Sequence, residues 1–354
     1  MEKFKKLMRG VELRNGADAA AVIPFQPGMT LVNSNGDVDV TTLGYQYTIQ
    51  TTTQIRAKVL EQKFYELPVA EYVPIEVGTG AWMESIKTNA EYAVAGPFSR
   101  GNINSGVGPA GLAQIDVGTA PINAPVMTWA MSYNYTVAEV NKALASNNWD
   151  VVAAKMRALK KVWDLGIQLV AFLGLKEDNT DFPGLYTNSN VTIDTTVLAS
   201  KISLLSAADF ATFVAKVTAL YYTNSNSTVL PDTFVIPTLD YVGLATPVSS
   251  TYPIVSMIDY LLNAFKEATH NPNFRILPCS YGTIANHLGY GFDTKDRYVL
   301  YRHDPETIKM DMPVSMNLFT PGTLNNFQFQ GVAAGQYTGA IAYRPAEMYY
   351  IDHT

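Results

Sequence analysis

The residues that could do chemistry begin with a glycine-rich segment. Gly106, Gly108 and Gly111 have the spacing G-x-G-x-x-G, which cradles the phosphates of a dinucleotide when it links a strand to the start of a helix. Here Pro109 lies inside the segment, the flanking residues are mainly Gly, Asn and Ser, and no acidic residue follows about 20 positions further on to bind a ribose. The segment therefore predicts a flexible loop and no nucleotide site.

The histidines and the cysteine lack the spacing of a metal site. Zinc needs three or four converging ligands, and no two of the histidines (His270, His287, His303 and His353) form an H-x-x-x-H pair. The only cysteine, Cys279, cannot form a disulfide within the chain, and a lone cysteine in an apolar context is usually a small buried side chain. We expect no metal and no cofactor.

Two carboxylates remain as candidates for acid–base chemistry. Asp304 and Glu306 are close enough in sequence to act as a general acid and a general base. Pro305 between them is equally typical of the second position of a turn. The sequence also lacks the G-x-S-x-G motif of a nucleophile elbow and the P-loop motif. It predicts no catalytic residue, and we expect a protein that is not an enzyme.

The composition favours a surface that other protein chains cover. Charged residues are 16% of the sequence, against about 25% in an average soluble protein, and charge is depleted at the centre of protein interfaces. The net charge is −6, so no overall positive potential attracts nucleic acid. No apolar run of about 18 residues, the length that spans a bilayer, occurs in the sequence. We expect no association with a membrane.

Positions 66 to 135 carry the most unusual pattern. The runs 69–77, 82–94 and 115–131 predict strands, which are separated by Gly and Pro. The segment has too few apolar side chains for a core of its own, and an isolated two-stranded ribbon is marginally stable in water. An uncovered strand edge also pairs readily with another chain. The sequence therefore predicts an extended loop that contacts a partner.

A long helix and a mixed α/β region follow this loop. Apolar residues spaced by three and four predict a helix over 149–173, and Thr136 with Glu139 forms a capping box that starts a shorter helix before it. Ser206 with Asp209 starts a further helix in the α/β region. The end of the chain returns to strands, so the predicted fold class is α+β.

Several phrases in this order resemble the major capsid proteins of tailed bacteriophages, whose fold is shared with encapsulins. The resemblance is carried by Asp296-Arg-Tyr-Val-Leu-Tyr301, Asp304-Pro-Glu306, Lys309-Met-Asp-Met-Pro313, the ending from Gly339 to Asp352 with Arg344-Pro345 inside it, and Phe172-Leu173-Gly174 followed by Pro183-Gly184-Leu185. It covers residues 50–354 in order.

This resemblance implies the arrangement of the tailed-phage major capsid fold. The implied parts are an N-terminal arm (1–65), an extended β-hairpin loop (66–135), a peripheral domain (136–180 and 300–354) with a spine helix (149–173), and an axial domain (181–299). Copies of the chain would form hexamers and pentamers of an icosahedral shell around double-stranded DNA, in a virion assembled in the host cytoplasm. Portal and scaffolding proteins are the implied partners, and a decoration protein is a further candidate.

Opposite charges indicate how two subunits would meet. The loop 66–135 carries six acidic and two basic residues, whereas 150–176 carries five basic and two acidic residues. We therefore expect the acidic loop of one subunit to lie across the basic outer face of a neighbour's spine helix, because complementary charge selects partner and register. The expected contact residues are Trp82, Glu84, Glu91, Arg100, Lys155, Arg157, Lys160 and Lys161.

Two other functions remain open on the sequence alone. The same fold forms encapsulin-like compartments that enclose a protein cargo. The Tyr-, Asn-, Thr- and Ser-rich loops are also compatible with a β-rich carbohydrate-binding or adhesin-type protein, although the single long helix argues against it.

The loop also contains candidates for movement and for a covalent joint. The hinge candidates are Gly78, Gly80 and Gly96. Lys87 is the only lysine of the loop, and Asn325 or Asn326 is a conceivable partner for a cross-link of the kind that some members of the family form.

Overall fold

The structure, a computed structural model, describes residues 64–95, 115–147, 150–249, 252–292, 295–325 and 327–353. The helices are α1 (Val69–Tyr72), α2 (Val137–Asn147), α3 (Val151–Leu173), α4 (Ala207–Asn224), α5 (Thr238–Gly243) and α6 (Met257–Thr269). The strands are β1 (Ile75–Val77), β2 (Ser85–Ala95), β3 (Ile115–Pro125), β4 (Met127–Thr136), β5 (Thr192–Asp194), β6 (Thr233–Pro237), β7 (Pro247–Ser249), β8 (Tyr252–Ser256), β9 (Arg275–Cys279), β10 (Arg297–Tyr301), β11 (Ile308–Met312), β12 (Val314–Leu318), β13 (Gly322–Asn325), β14 (Gln328–Tyr337), β15 (Ala340–Ala342) and β16 (Met348–Asp352). The predicted α+β class is confirmed.

Parts of the predicted organisation lie outside the described residues. The N-terminal arm predicted at 1–65 is described only at Phe64 and Tyr65. Arg100 and the glycine-rich segment 106–111 also lie outside the described residues. Among the helices that the structure does describe, none combines the length and the apolar character that crossing a bilayer requires.

The long helix α3 follows the predicted apolar spacing. Leu159, Trp163, Ile167 and Val170 are buried, as expected for residues three and four apart on one helix face. The helix ends at Leu173, where Gly174 adopts a φ of +77°. Its first residue is Val151, and the predicted start at position 149 falls outside the described residues.

The chain turns back against the last turn of α3 through a close approach of two glycines. A Cβ on Gly184 would lie 2.4 Å from the nitrogen of Gly174 and 2.5 Å from that of Leu173. Tyr186 then donates a backbone hydrogen bond of 3.0 Å to the oxygen of Phe172. Glycine is required here because any side chain would collide with backbone atoms.

One sheet packs directly on α3. Its strand order is β12-β14-β13, and β4 pairs with β14 over ten residues. The rings of Trp129 on β4 and Trp163 on α3 are 5.1 Å apart, and Tyr133 clusters with Leu159. This corrects the predicted extent of the loop 66–135: β4 is part of the body, because its partner strand comes from far along the chain.

The start of the predicted loop also belongs to the body. Residues 69–72 form a helical turn and not the predicted strand, and β1 pairs in parallel with β11. The turn brings the Tyr72 ring to 5.1 Å from the Phe172 ring and its hydroxyl to 2.6 Å from the oxygen of Pro278. Burial of Tyr72 explains the departure from an extended conformation. Within the described residues, the extended ribbon is therefore reduced to β2 and β3.

A second sheet has the order β5-β16-β10-β6-β9. Every residue of β6, β10 and β16 is buried, and Phe210 and Phe213 of α4 with Phe265 of α6 pack in its apolar cluster. The last strand, β16, lies between β10 and β5, and all of its residues are buried there. Because β10 and β16 belong to this second sheet while β12, β13 and β14 belong to the sheet on α3, the segment 300–354 contributes to both sheets.

Candidate functional site

The ribbon of β2 and β3 exposes apolar side chains on both faces. The two strands pair over 11 residues, and the exposed fractions are 54% for Tyr92, 62% for Val94, 71% for Ile115 and 54% for Val117. Residues opposite each other in an antiparallel pair share a face, so Tyr92 and Val94 lie on one face and Ile115 and Val117 on the other. Among the described residues, nothing covers these four apolar side chains of the ribbon.

The root of the ribbon is held by a side chain that the sequence analysis missed. The Oε1 atom of Gln336 accepts a hydrogen bond from the Met83 nitrogen at 3.1 Å, and its Nε2 atom donates to the Met83 oxygen at 3.0 Å and to Thr128 Oγ1 at 2.9 Å. The Val126 nitrogen donates to the Glu84 oxygen at 3.1 Å and closes the base of the ribbon. No local sequence pattern marks Gln336, because its partners lie far away along the chain.

Two of the predicted hinge glycines are fixed against the body. The Gly78 nitrogen donates to the Met312 oxygen at 2.9 Å, and a Cβ on Gly78 would lie 2.8 Å from the Pro313 oxygen. The Gly80 nitrogen donates to the same Pro313 oxygen at 3.1 Å. In this conformation the backbone of Gly78 is bonded and closely packed, and a hinge at this residue stays a prediction. Gly96 lies outside the described residues.

Two of the four basic residues of α3 that were predicted to contact a neighbour form ion pairs within their own chain. The Nζ atom of Lys155 lies 2.7 Å from Glu139 Oε1. Lys161 forms an ion pair with Glu66, and its Nζ atom lies 5.7 Å from the centre of the Phe64 ring. These lysines therefore tie neighbouring segments to the spine helix, and the basic face that another subunit could reach is smaller than the sequence suggested.

The other two cations of α3 face solvent. Arg157 and Lys160 are exposed, and Lys160 forms no ion pair among the described residues. Glu84 and Glu91 on the ribbon are exposed as well, and Trp82 just before the ribbon is 52% exposed. Among the described residues, Glu84 and Glu91 form no ion pair with Lys160, so these exposed charges remain candidates for a contact with a second copy.

Two acidic residues of the predicted loop form ion pairs within their own chain. Glu76 on β1 forms an ion pair of 2.6 Å with Lys309 Nζ, and this hydrogen bond lowers the pKa of the Glu76 carboxyl. Glu66 pairs with Lys161. Both acids therefore stabilise the body, so the acidic surface of the ribbon proper consists of residues such as Glu84 and Glu91.

The residues proposed for a covalent joint are only partly described. Lys87 is exposed on β2. The Oδ1 atom of Asn325 accepts hydrogen bonds from the nitrogens of Phe327 at 3.2 Å and Gln328 at 2.7 Å, so this side chain shapes a turn. Asn326 lies outside the described residues, and the cross-link remains a prediction.

The candidate chemical residues do not converge. Cys279 is buried, and burial raises the pKa of its thiol to about 12, which keeps it protonated at neutral pH. His287 is buried with Nδ1 at 2.9 Å from the Tyr281 oxygen. Within the described ranges, no group of His, Cys, Asp and Glu could hold a metal ion.

Comparison with solved structures identifies the fold. The capsid of Myoviridae phage XM1 aligns with a TM-score of 0.69 at 14% identity, over 86% of this chain and 98% of that chain. The capsid of the cyanophage P-SCSP1u aligns with a TM-score of 0.54 at 13% identity, over 94% of this chain and 99% of that chain. The capsid of a native GTA particle aligns with a TM-score of 0.54 at 9% identity, over 96% and 98%. At these identities the likeness shows that the chain shares the fold of these capsid proteins.

The sequence family agrees with the fold. The family described as major capsid protein matches residues 106–353, and the chain belongs to this family. No curated protein matches the chain. Membership confirms the resemblance to the capsid proteins of tailed phages, indicates a place in the virion, and removes the enzymatic and carbohydrate-binding alternatives.

Proposed function

We propose that this chain forms hexamers and pentamers, which close into an icosahedral shell around double-stranded DNA. The single observation that supports this most directly is the 11-residue ribbon of β2 and β3, which exposes Tyr92 and Val94 on one face and Ile115 and Val117 on the other. A two-stranded ribbon is marginally stable when isolated, and exposed apolar surface marks interaction sites. A second copy of the chain would supply the missing cover.

The charges favour the neighbour's spine helix as the surface that the ribbon meets. Glu84 and Glu91 would face Arg157 and Lys160, which are the cations of α3 that point to solvent. An exposed ion pair contributes only about 0–1 kcal/mol, so these charges select the register. Trp82 and the apolar ribbon residues would supply most of the adhesion, because large aromatic side chains dominate interfaces.

Repetition explains how modest contacts could hold a shell. A ribbon that contacts a different surface of the next subunit makes a heterologous interface, which closes into rings. In this arrangement the lobe of 181–299 would point to the centre of each ring, and the spine helix with the sheet of β4 and β14 would lie at its periphery. The packaged DNA, a scaffolding protein and the portal would be further partners of the shell.

Removal of the ribbon tests the proposal. Replacing residues 87–123 by an Asn-Gly turn joins Ile86 to Ala124, which are paired neighbours in the ladder. The root at Met83 and Gln336 is retained, so we expect the unassembled subunit to unfold at the wild-type temperature. Electron micrographs should show closed shells for the wild type and none for the truncated chain. Closed shells from the truncated chain would contradict the proposed contact.

The content of the particles separates the phage shell from an encapsulin-like compartment. Shells purified from cells that express the neighbouring genes are treated with nuclease and then opened. Protected double-stranded DNA supports the proposal, whereas a protein cargo without DNA supports the compartment.

A further inference from the structure

We propose that Gln336 is a positioning residue for assembly, whose side-chain amide fixes the direction in which the ribbon leaves the body. This inference rests on the proposed function, in which the ribbon meets a second copy of the chain. Gln336 would act through Met83 and Thr128 and would itself make no contact with the neighbour.

The amide contacts both ends of the ribbon at once. Gln336 is 4% exposed, and its two polar atoms bind the nitrogen and the oxygen of Met83, as a paired strand residue would. Met83 lies two residues before the start of β2 at Ser85. The third hydrogen bond, to Thr128, reaches the chain just after β3 ends at Pro125. One buried side chain therefore holds the entry and the return of the ribbon.

Little else fixes the entry segment. Between Gly80, which is bonded to Pro313, and Ser85, the chain has no regular secondary structure. The remaining backbone bond at the root, from Val126 to Glu84, joins the two ribbon strands to each other and not to the body. The base of the ribbon also touches the body where Ala124 is fully buried and where Thr88 forms a hydrogen bond with Tyr343. Loss of the Gln336 amide would leave the Met83 peptide without its partner and would widen the range of directions in which the ribbon leaves these contacts.

A small swing is enough to change the contact with a neighbour. A strand rises about 3.3 Å per residue, so a ribbon of 11 residues is about 36 Å long. A rotation of about 10° at the root then moves the far end by about 6 Å, which exceeds the spacing of adjacent strands, about 4.8 Å. The direction set at Gln336 therefore decides which residues of the neighbour the ribbon meets.

The test compares Gln336→Met with Gln330→Met. Methionine has the length of glutamine without its amide. Gln330 lies half-buried on the same strand, β14, and forms no hydrogen bond with the ribbon root. In the unassembled Gln336→Met subunit we expect hydrogen exchange at the Met83 amide to be about tenfold faster or more, as for the loss of one buried hydrogen bond. Assembled Gln336→Met should give shells of mixed diameter or open sheets in cryo-electron micrographs, whereas Gln330→Met should keep wild-type exchange and one shell diameter.

Substitutions at Thr128 disturb the structure less and keep the inference testable if Gln336→Met does not fold. Thr128→Val removes only the third hydrogen bond, so a smaller rise in Met83 exchange is expected, and Thr128→Ser should restore the wild-type rate. Wild-type exchange at Met83 together with uniform shells in a folded Gln336→Met or Thr128→Val subunit would overturn the inference. A wild-type chain that forms no shells would instead refute the proposed function, and the exchange rates of the unassembled subunit would still decide whether the amide holds the ribbon.

Discussion

At the scale of single residues, Asp296 joins three separate parts of the chain at one buried carboxylate. Its Oδ1 atom accepts the Ile284 N–H at 2.8 Å, and its Oδ2 atom lies 3.2 Å from Lys201 Nζ and 3.3 Å from His353 Nε2. Burial by itself would raise the pKa of this carboxyl, but the hydrogen bonds from Ile284 and Lys201 outweigh it and lower the pKa below its usual value. The ionised form therefore stabilises the fold.

This shift gives the subunit a specific sensitivity to acid. The folded state binds the Asp296 proton less readily than the unfolded chain, so the stabilisation is present above the unfolded pKa of about 4 and is lost as the pH falls through the folded pKa. We expect Asp296→Asn to lower the unfolding temperature at neutral pH and to lose less stability than the wild type between about pH 6 and about pH 3. Thermal unfolding of the unassembled subunit measures this.

Asp164→Asn is the matched control for this experiment, because Asp164 is an exposed carboxylate on α3. Its acid-induced loss of stability should equal that of the wild type. An equal loss in Asp296→Asn would show that the carboxylate at 296 does not stabilise the folded state as its contacts indicate.

At the scale of elements, the glycines of the spine helix and its exit should respond with opposite signs. Gly166 lies in the exposed interior of α3, and a Cβ there would meet no atom within 4 Å. Gly166→Ala should therefore raise the free energy of unfolding by about 0.5–1 kcal/mol, since alanine favours a helix. Gly184→Ala should lower it by about 1–3 kcal/mol, because the new Cβ would lie 2.4 Å from the Gly174 nitrogen. Urea denaturation of both variants provides the measurement, and a destabilised Gly166→Ala or a neutral Gly184→Ala would contradict this account.

The elements also show what a single sequence can predict. The spacing of apolar residues predicted α3, and the Ser206–Asp209 pair predicted the start of α4, where the Asp209 nitrogen donates to Ser206 Oγ at 3.2 Å. Both signals are local. The pairing of β4 with β14 is not local. The run 115–131 therefore predicted one strand, although β3 pairs with β2 in the ribbon and β4 pairs with β14 in the body.

The difference between local and non-local signals also explains which features of the candidate contact residues could be predicted. Exposure of Lys160 and Glu91 could be predicted from their charge. The ion pairs of Lys155 with Glu139 and of Lys161 with Glu66 depend on how distant segments fold against α3, and no sequence spacing marks them. Charge counts therefore overstated how many cations of α3 remain for another subunit, and the contact of the ribbon with this helix stays a prediction.

At the scale of the whole molecule, the proposed shell requires each subunit to present both halves of one contact. The ribbon carries exposed acids and apolar residues, and α3 carries the exposed Lys160, which forms no ion pair among the described residues. In the proposed shell each contact would be weak and would repeat around every ring, so a small change in one pair would affect every contact of the ring. Assembly should therefore be more sensitive to these charges than the folding of the subunit is.

A charge exchange tests this pairing between copies. Lys160→Glu and Glu91→Lys should each reduce the yield of closed shells, because each places like charges at a contact where an exposed pair contributes up to about 1 kcal/mol. The double variant restores opposite charges in exchanged positions and should recover most of the yield. The control is Lys216→Glu, at an exposed lysine of α4. It changes the net charge by the same amount as Lys160→Glu and should leave the yield of closed shells unchanged. Sedimentation and electron microscopy of the four variants measure the yield. A double variant that assembles no better than its parents would mean that the ribbon binds a surface other than the one around Lys160, because only a direct pair gains from exchanging both signs.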